Sequence, residues 1–177
     1  MKPLLSTNEG GDRGYKVAYV VHKFHSTSNP SVETDSKMEY EEDGPADLMG
    51  MVTLRSLGPE SLALPEHLTL PASAASSTLT IEIAYSFLPD AWGKGYATES
   101  SKAVLEASKT ARAYWTPFSK LYVRSIVNGR NPASIRVMEK TAMVKRGIYV
   151  WTGKPIFIGG EWRGQDDLHI FGMYLME

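Results

Sequence analysis

Residues 79–112, LTIEIAYSFLPDAWGKGYATESSKAVLEASKTAR, decide how this chain folds. They read as strand, glycine turn and helix. Thr80 to Leu88 is apolar and rich in strand formers, and Pro89-Asp90 ends the run. Trp92-Gly93-Lys94-Gly95-Tyr96-Ala97 is the turn. Beyond it Ala97, Ser101, Val104, Leu105, Ser108 and Ala111 recur at helical spacing on one face. A helix start leaves backbone N–H groups unpaired and carries about half a positive charge. Gly93 and Gly95 lack a Cβ, so an anion such as a phosphate can come close to the backbone there. A turn of this kind also serves as a plain connection. It is neither a GxxxxGK(S/T) phosphate loop nor a GxGxxG dinucleotide fingerprint.

A chain of 177 residues suits one domain, residues 1–177, with a real core. With 42% hydrophobic and 22% charged residues it has the composition of an ordinary globular protein. The net charge of −1 implies no general attraction to nucleic acid or membrane. The absence of cysteine excludes disulfides, thiolate metal sites and a cysteine nucleophile, and fits a reducing compartment; the expectation is cytoplasmic. The first residues, MKPLLSTNEGG, hold no apolar run of signal-peptide length, and no segment approaches a membrane span.

Outward from the central unit, residues 1–14 are expected to be irregular. Tyr15 to His25 and Asp47 to Leu57 read as strands, separated by a polar, acidic excursion over Ser26 to Ala46. Gly58 to Ser77 carries three prolines and reads as a surface insertion or a flap near a site. Ser119 to Val127 is a further strand. Asn131-Pro132 opens a short helix with Ile135, Met138 and Ala142 on its apolar stripe. Gly147 to Trp151 and Leu168 to Leu175 are the closing strands, with turns at Thr152-Gly153-Lys154 and Gly159 to Asp167. The pattern is mixed α/β (α+β): a mostly antiparallel sheet, locally parallel where the long helix after the central strand crosses over.

At Trp92-Gly93-Lys94-Gly95-Tyr96-Ala97-Thr98-Glu99 the chain resembles the GNAT superfamily of acyl-CoA N-acyltransferases, closest to the branch that includes the ribosomal-protein N-terminal acetyltransferases. Asn131-Pro132-Ala133-Ser134, leading to Val137-Met138-Glu139-Lys140, follows at that family's spacing. Together the two matches cover roughly Thr80 to Ile148. The resemblance implies acetyl-CoA as cosubstrate, its pyrophosphate held on the amides of Gly93, Lys94, Gly95, Tyr96, Ala97 and Thr98. Trp92 stands where the family commonly has Gln or Arg, as an anchor for the turn. The pantetheine arm would pair with Ser86, Phe87 and Leu88, and Asn131 and Ser134 would line it. Asn131 is equally explained as a helix cap.

The resemblance further implies direct attack of an amine on the thioester. Glu82, between Ile81 and Ile83 in the central strand, is the candidate base, its pKa raised by desolvation. The Leu88 N–H is the candidate oxyanion donor. Where many members of the family carry an acidic tyrosine, Met138 stands and has no proton to give. Tyr85, Tyr122 or Tyr149 takes its place, or the thiolate leaves as itself. Ala142-Met143 replaces the family's Gly-aromatic pair. The N-terminal strand-helix-helix part that walls the acceptor side reads as shortened. That wall is then missing, built by the loops at Ser26–Ala46 and Gly58–Ser77, or supplied by a second subunit, which makes a homodimer reasonable. The acceptor amine, a small molecule or a protein N-terminus, is not named. His22 and His25 point to opposite faces of a strand, so no metal site is expected. Lys120, Arg124, Arg130 and Arg136 are candidates to meet a CoA 3′-phosphate or are simply solvated. The alternative to an enzyme is a module of this fold that holds CoA or another anion without transfer.

Overall fold

The computed structural model describes residues 3–5, 14–25, 46–158 and 161–177, and in them the strand alternation of the sequence becomes one seven-stranded sheet. β1 (Pro3–Leu5), β2 (Lys16–Phe24), β3 (Ala46–Ser56) and β4 (Thr78–Phe87) form an antiparallel run. α1 (Tyr96–Thr110) carries the chain across to β5 (Lys120–Asn128), which lies parallel to β4. α2 (Pro132–Lys140) leads into the hairpin of β6 (Val144–Ile158) and β7 (Glu161–Met176). In space the strands run β1-β2-β3-β4-β5-β7-β6.

Alternation along the strands sorts the side chains onto two faces. Leu54, Ile81, Ile83, Val123 and Phe171 are buried on one face, and Val104 and Leu105 of α1 and Met138 of α2 pack against them. Burying Val104 and Leu105 is worth about 2 kcal/mol each. The remaining buried positions on α1 are Ser100, Ser101 and Ser108, small residues that let the helix lie close to the sheet. The opposite face carries Met51, Thr53 and Arg55 across from Ser86, Ala84 and Glu82.

Two expectations need correcting. Residues 3–5 are not irregular: they pair with Val17 to Tyr19. The closing hairpin is far longer than its apolar cores. Thr152, Gly153, Lys154 and all of Glu161 to Asp167 lie in strand, with a register shift between Thr152 and Ile156 that absorbs Gly153 and Pro155. An edge hairpin wetted on both faces has no apolar alternation to betray it. Gly58 to Ser77, the insertion or flap, has local structure of its own. It contains 3-10 turns at Glu66–Leu68 and Ala72–Ala74. The acidic stretch at residues 26–45 lies outside the described residues. Among the described residues no helix is long and apolar enough to cross a membrane.

Candidate active site

The parallel pairing of β4 and β5 starts at Thr78↔Lys120 and stops at Glu82↔Arg124, although β4 continues to Phe87 and β5 to Asn128. Past the last rung the strands part. The gap is a cleft of ≈ 220 Å³ whose walls include Glu82, Tyr85, Ile126, Asn131 and Ser134. Parting strands leave backbone polar groups without partners, and such groups are costly unless something hydrogen-bonds to them.

Which groups face the gap follows from the neighbouring ladders. The Leu88 N–H donates to the Met49 carbonyl at 2.9 Å. Backbone polar groups alternate between the two edges of a strand, so Ser86 and Leu88 face β3 while Tyr85 and Phe87 face the cleft. This corrects the sequence reading in two places. Ser86 and Leu88 are not on the edge that an extended ligand would pair with, and the Leu88 amide is already committed, so it is not free to hold an oxyanion. Across the gap, the Gly129 N–H donates to the Asp167 carbonyl at 2.7 Å, which turns odd-numbered residues of β5 toward β7 and Ile126 toward the cleft. Strand parity of this kind has no trace in a single sequence, which is why Ile126 and the Tyr85 backbone were missed.

The turn that follows β4 behaves as its glycines require. Gly93 and Gly95 have φ of 71° and 89°, left-handed values that other residues adopt at a cost. A Cβ on either would meet no atom within 4 Å, so the space over the turn is open. Gly95 caps α1 without a side-chain hydrogen bond, and the first helical bond runs from the Glu99 N–H to the Gly95 carbonyl at 3.1 Å. Among the described residues the amides of Gly93, Lys94, Gly95, Tyr96, Ala97 and Thr98 donate to no carbonyl. Open amides at the positive end of a helix are the donors an anion would need. Trp92 is exposed, but its indole N–H donates to the Phe87 carbonyl at 2.8 Å and ties the turn to the end of β4. Asn131 caps α2: its Oδ1 accepts from the Ser134 N–H at 3.0 Å.

Glu82 is largely withdrawn from water, as expected, but it does not stand alone. Its apolar neighbours Ile81 and Ile83 alternate onto the helix face, and Glu82 shares the other face with two guanidiniums. Arg55 donates to its Oε1 at 3.0 Å, and Arg124 donates from Nε to its Oε2 at 3.1 Å. Arg124 also donates to the Leu62 carbonyl at 3.2 Å, fastening the Gly58–Ser77 segment to the open face of the sheet. Leu68 of the same segment is buried against Gly147, where a Cβ would come within 2.5 Å of it. Of the cations expected near a 3′-phosphate, Arg124 and Arg130 are held by carboxylates, Arg130 by Glu161 and Asp166; Lys120 and Arg136 are exposed.

Among the three tyrosines considered as acids, Tyr85 alone lines the cleft. Tyr122 packs its hydroxyl over Gly172, and Tyr149 sits opposite Leu168 in the hairpin. The Tyr85 hydroxyl lies 3.5 Å from the Ser134 carbonyl on α2. Burial raises its pKa from 10.0, against a smaller lowering by the Ser134 side chain. Met138 is fully buried in the core, so it does not line the cleft. No group of three His, Asp or Glu that could hold a metal occurs among the described residues.

Comparison with known proteins bears on the whole arrangement. The model of the acetyltransferase (GNAT) domain matches residues 19–144, well over half of the chain. No curated protein matches it. Among solved structures, a chimera of the spermidine N-acetyltransferase SpeG from Vibrio cholerae and hSSAT superposes with a TM-score of 0.50 at 19% identity, over 90% of this chain and 68% of that one. An acetyltransferase (GNAT family) from Bacillus anthracis gives 0.45 at 24% identity, over 72% and 59%. Spermidine N-acetyltransferase from Vibrio cholerae in complex with CoA and spermine gives 0.44 at 22%, over 73% and 59%. At these identities the likeness is one of fold. The chain spans 59% and 60% of the length of the first two structures it matches.

Proposed function

The chain belongs to the GNAT acetyltransferase family, and from that premise we propose that it moves the acetyl group of acetyl-CoA onto a primary amine by direct attack. One observation carries the reading: β4 and β5 part after Glu82↔Arg124, and the turn that follows β4 holds six amides that, among the described residues, donate to no carbonyl. The amides of residues 93–98 would hold the pyrophosphate. The pantetheine arm would run into the cleft as an extra strand, on the edge offered by Phe87 and Tyr85 and against Asn131 and Ser134. The reading treats residues 1–177 as one acetyltransferase domain.

An amine attacks only when neutral. Glu82 serves as proton acceptor through water, because each carboxylate oxygen has a lone pair beyond its guanidinium bond and the side chain keeps 13% exposure. The oxyanion falls to a cleft-facing amide of β4 in place of Leu88. The acceptor, a small amine or a protein N-terminus, would approach on the sheet face that carries Glu82, where the Gly58–Ser77 segment supplies a wall. A CoA-holding module without transfer is favoured by two observations, the clamp on Glu82 and the buried Met138.

Two measurements separate these readings. Acetyl-CoA should raise the melting temperature, since at a hundred times its Kd a ligand of the native state adds about 2.7 kcal/mol. Release of free CoA thiol in the presence of a panel of amines should then follow. Stabilisation without release from any amine would leave the module; no stabilisation would remove the cofactor site altogether.

A further inference from the structure

We propose that Tyr85 is the acid that protonates the departing CoA sulfur, delivered from the β4 wall of the cleft rather than from α2. The inference rests on the transfer reading above and adds its missing proton donor. Four observations converge. The cleft is walled on one side by β4 and on the other by β5 and the start of α2. Met138, one turn after Ser134 on α2, is fully buried and has no proton to give. Tyr85 reaches from β4 to that same turn, its hydroxyl at 3.5 Å from the Ser134 carbonyl. A bond at that distance is weak, so the hydroxyl can leave it for a better acceptor at little cost. No other tyrosine named as a candidate lines the cleft.

The step balances without further reagents. The neutral amine forms a C–N bond to the thioester carbon, and the carbonyl electrons move to oxygen. When they return, the C–S bond breaks and its pair leaves on sulfur. The Tyr85 O–H proton passes to that sulfur, giving free CoA thiol, and the phenolate regains a proton from the one lost by the amine. Burial holds the phenol above its ordinary value, so it remains a loaded acid across the neutral range.

The test uses the whole chain, acetyl-CoA and an amine that the wild type accepts. Tyr85→Phe keeps the ring and removes the proton. It should lower kcat by about a hundredfold or more, the usual worth of a positioned acid, while KM for acetyl-CoA and stabilisation by CoA stay within about threefold. In a second variant, 3,5-difluorotyrosine at position 85 keeps the fold and makes the phenol more acidic. Wild-type kcat should hold up to about pH 10 on the alkaline side, and the fluorinated protein should lose activity at a clearly lower pH. Unchanged kcat in Tyr85→Phe, or an alkaline limb that fluorination does not move, would overturn the assignment and leave the transfer reading standing. A wild type that binds CoA yet releases thiol to no amine would overturn both.

Discussion

Arg124 is 3% exposed, and a guanidinium so far from water is tolerable because the Glu82 carboxylate, with the Leu62 carbonyl, answers it. Removing one member of a buried ion pair strands the other. Glu82→Gln should therefore cost about 3 kcal/mol of stability, read by equilibrium denaturation. Arg55 makes a bond of similar length to the same carboxylate, but its side chain is 48% exposed. Arg55→Ala should cost less than about 1 kcal/mol in the same assay. Equal losses for the two would show that Arg124 is less dependent on Glu82 than its burial implies. At the turn, Gly95→Glu would place a carboxylate in the open space over the six amides and force a side chain to adopt a φ of 89°. CoA binding should vanish while the core stays folded, since like charge and lost space act on the same spot. Retained affinity would move the phosphate site elsewhere.

On the scale of single elements, α2 ends awkwardly. Ala142 follows it with a φ of 63°, a left-handed conformation that glycine adopts without strain. Ala142→Gly should stabilise the protein by about 1 kcal/mol, visible as a higher denaturation midpoint. The Gly58–Ser77 segment makes a different kind of prediction. It is pinned at Leu62 by Arg124 and at Leu68 by Gly147, on the sheet face away from the helices. Among the described residues no hydrogen bond joins it to the turn at residues 93–98. Deleting Leu62 to Ser73 should therefore change acceptor kinetics and leave acetyl-CoA binding in place. If neither set of constants moved, the segment would have no part in choosing the amine.

Across the molecule as a whole, four phenols share one shift. Burial raises Tyr19, Tyr85, Tyr114 and Tyr122 above 10.0. A raised folded value means that the native state holds its proton where the unfolded chain has begun to lose it. The stability linked to these groups is complete below the unfolded value and is lost as pH climbs through the folded ones. The melting temperature should be insensitive to these residues up to about pH 10 and fall beyond it, with phenolate absorbance rising as the protein unfolds. Free-tyrosine titration in the intact protein at pH 10 would contradict their burial.

What could be read directly from the chain was local. The strand, turn and helix at residues 78–110, the glycines at 93 and 95 and the cap at Asn131 each depend on residues within four or five positions of one another, where backbone geometry and side-chain chemistry act without help from the rest of the fold. The pairing of distant strands is another matter. That β4 and β5 part after Glu82, that Leu88 turns to Met49 and Phe87 to the cleft, and that Glu82 meets Arg55 and Arg124 follow from registers set between segments 27 to 42 residues apart. A one-residue slip would reverse every one of these assignments, and only the packed core selects among the slips.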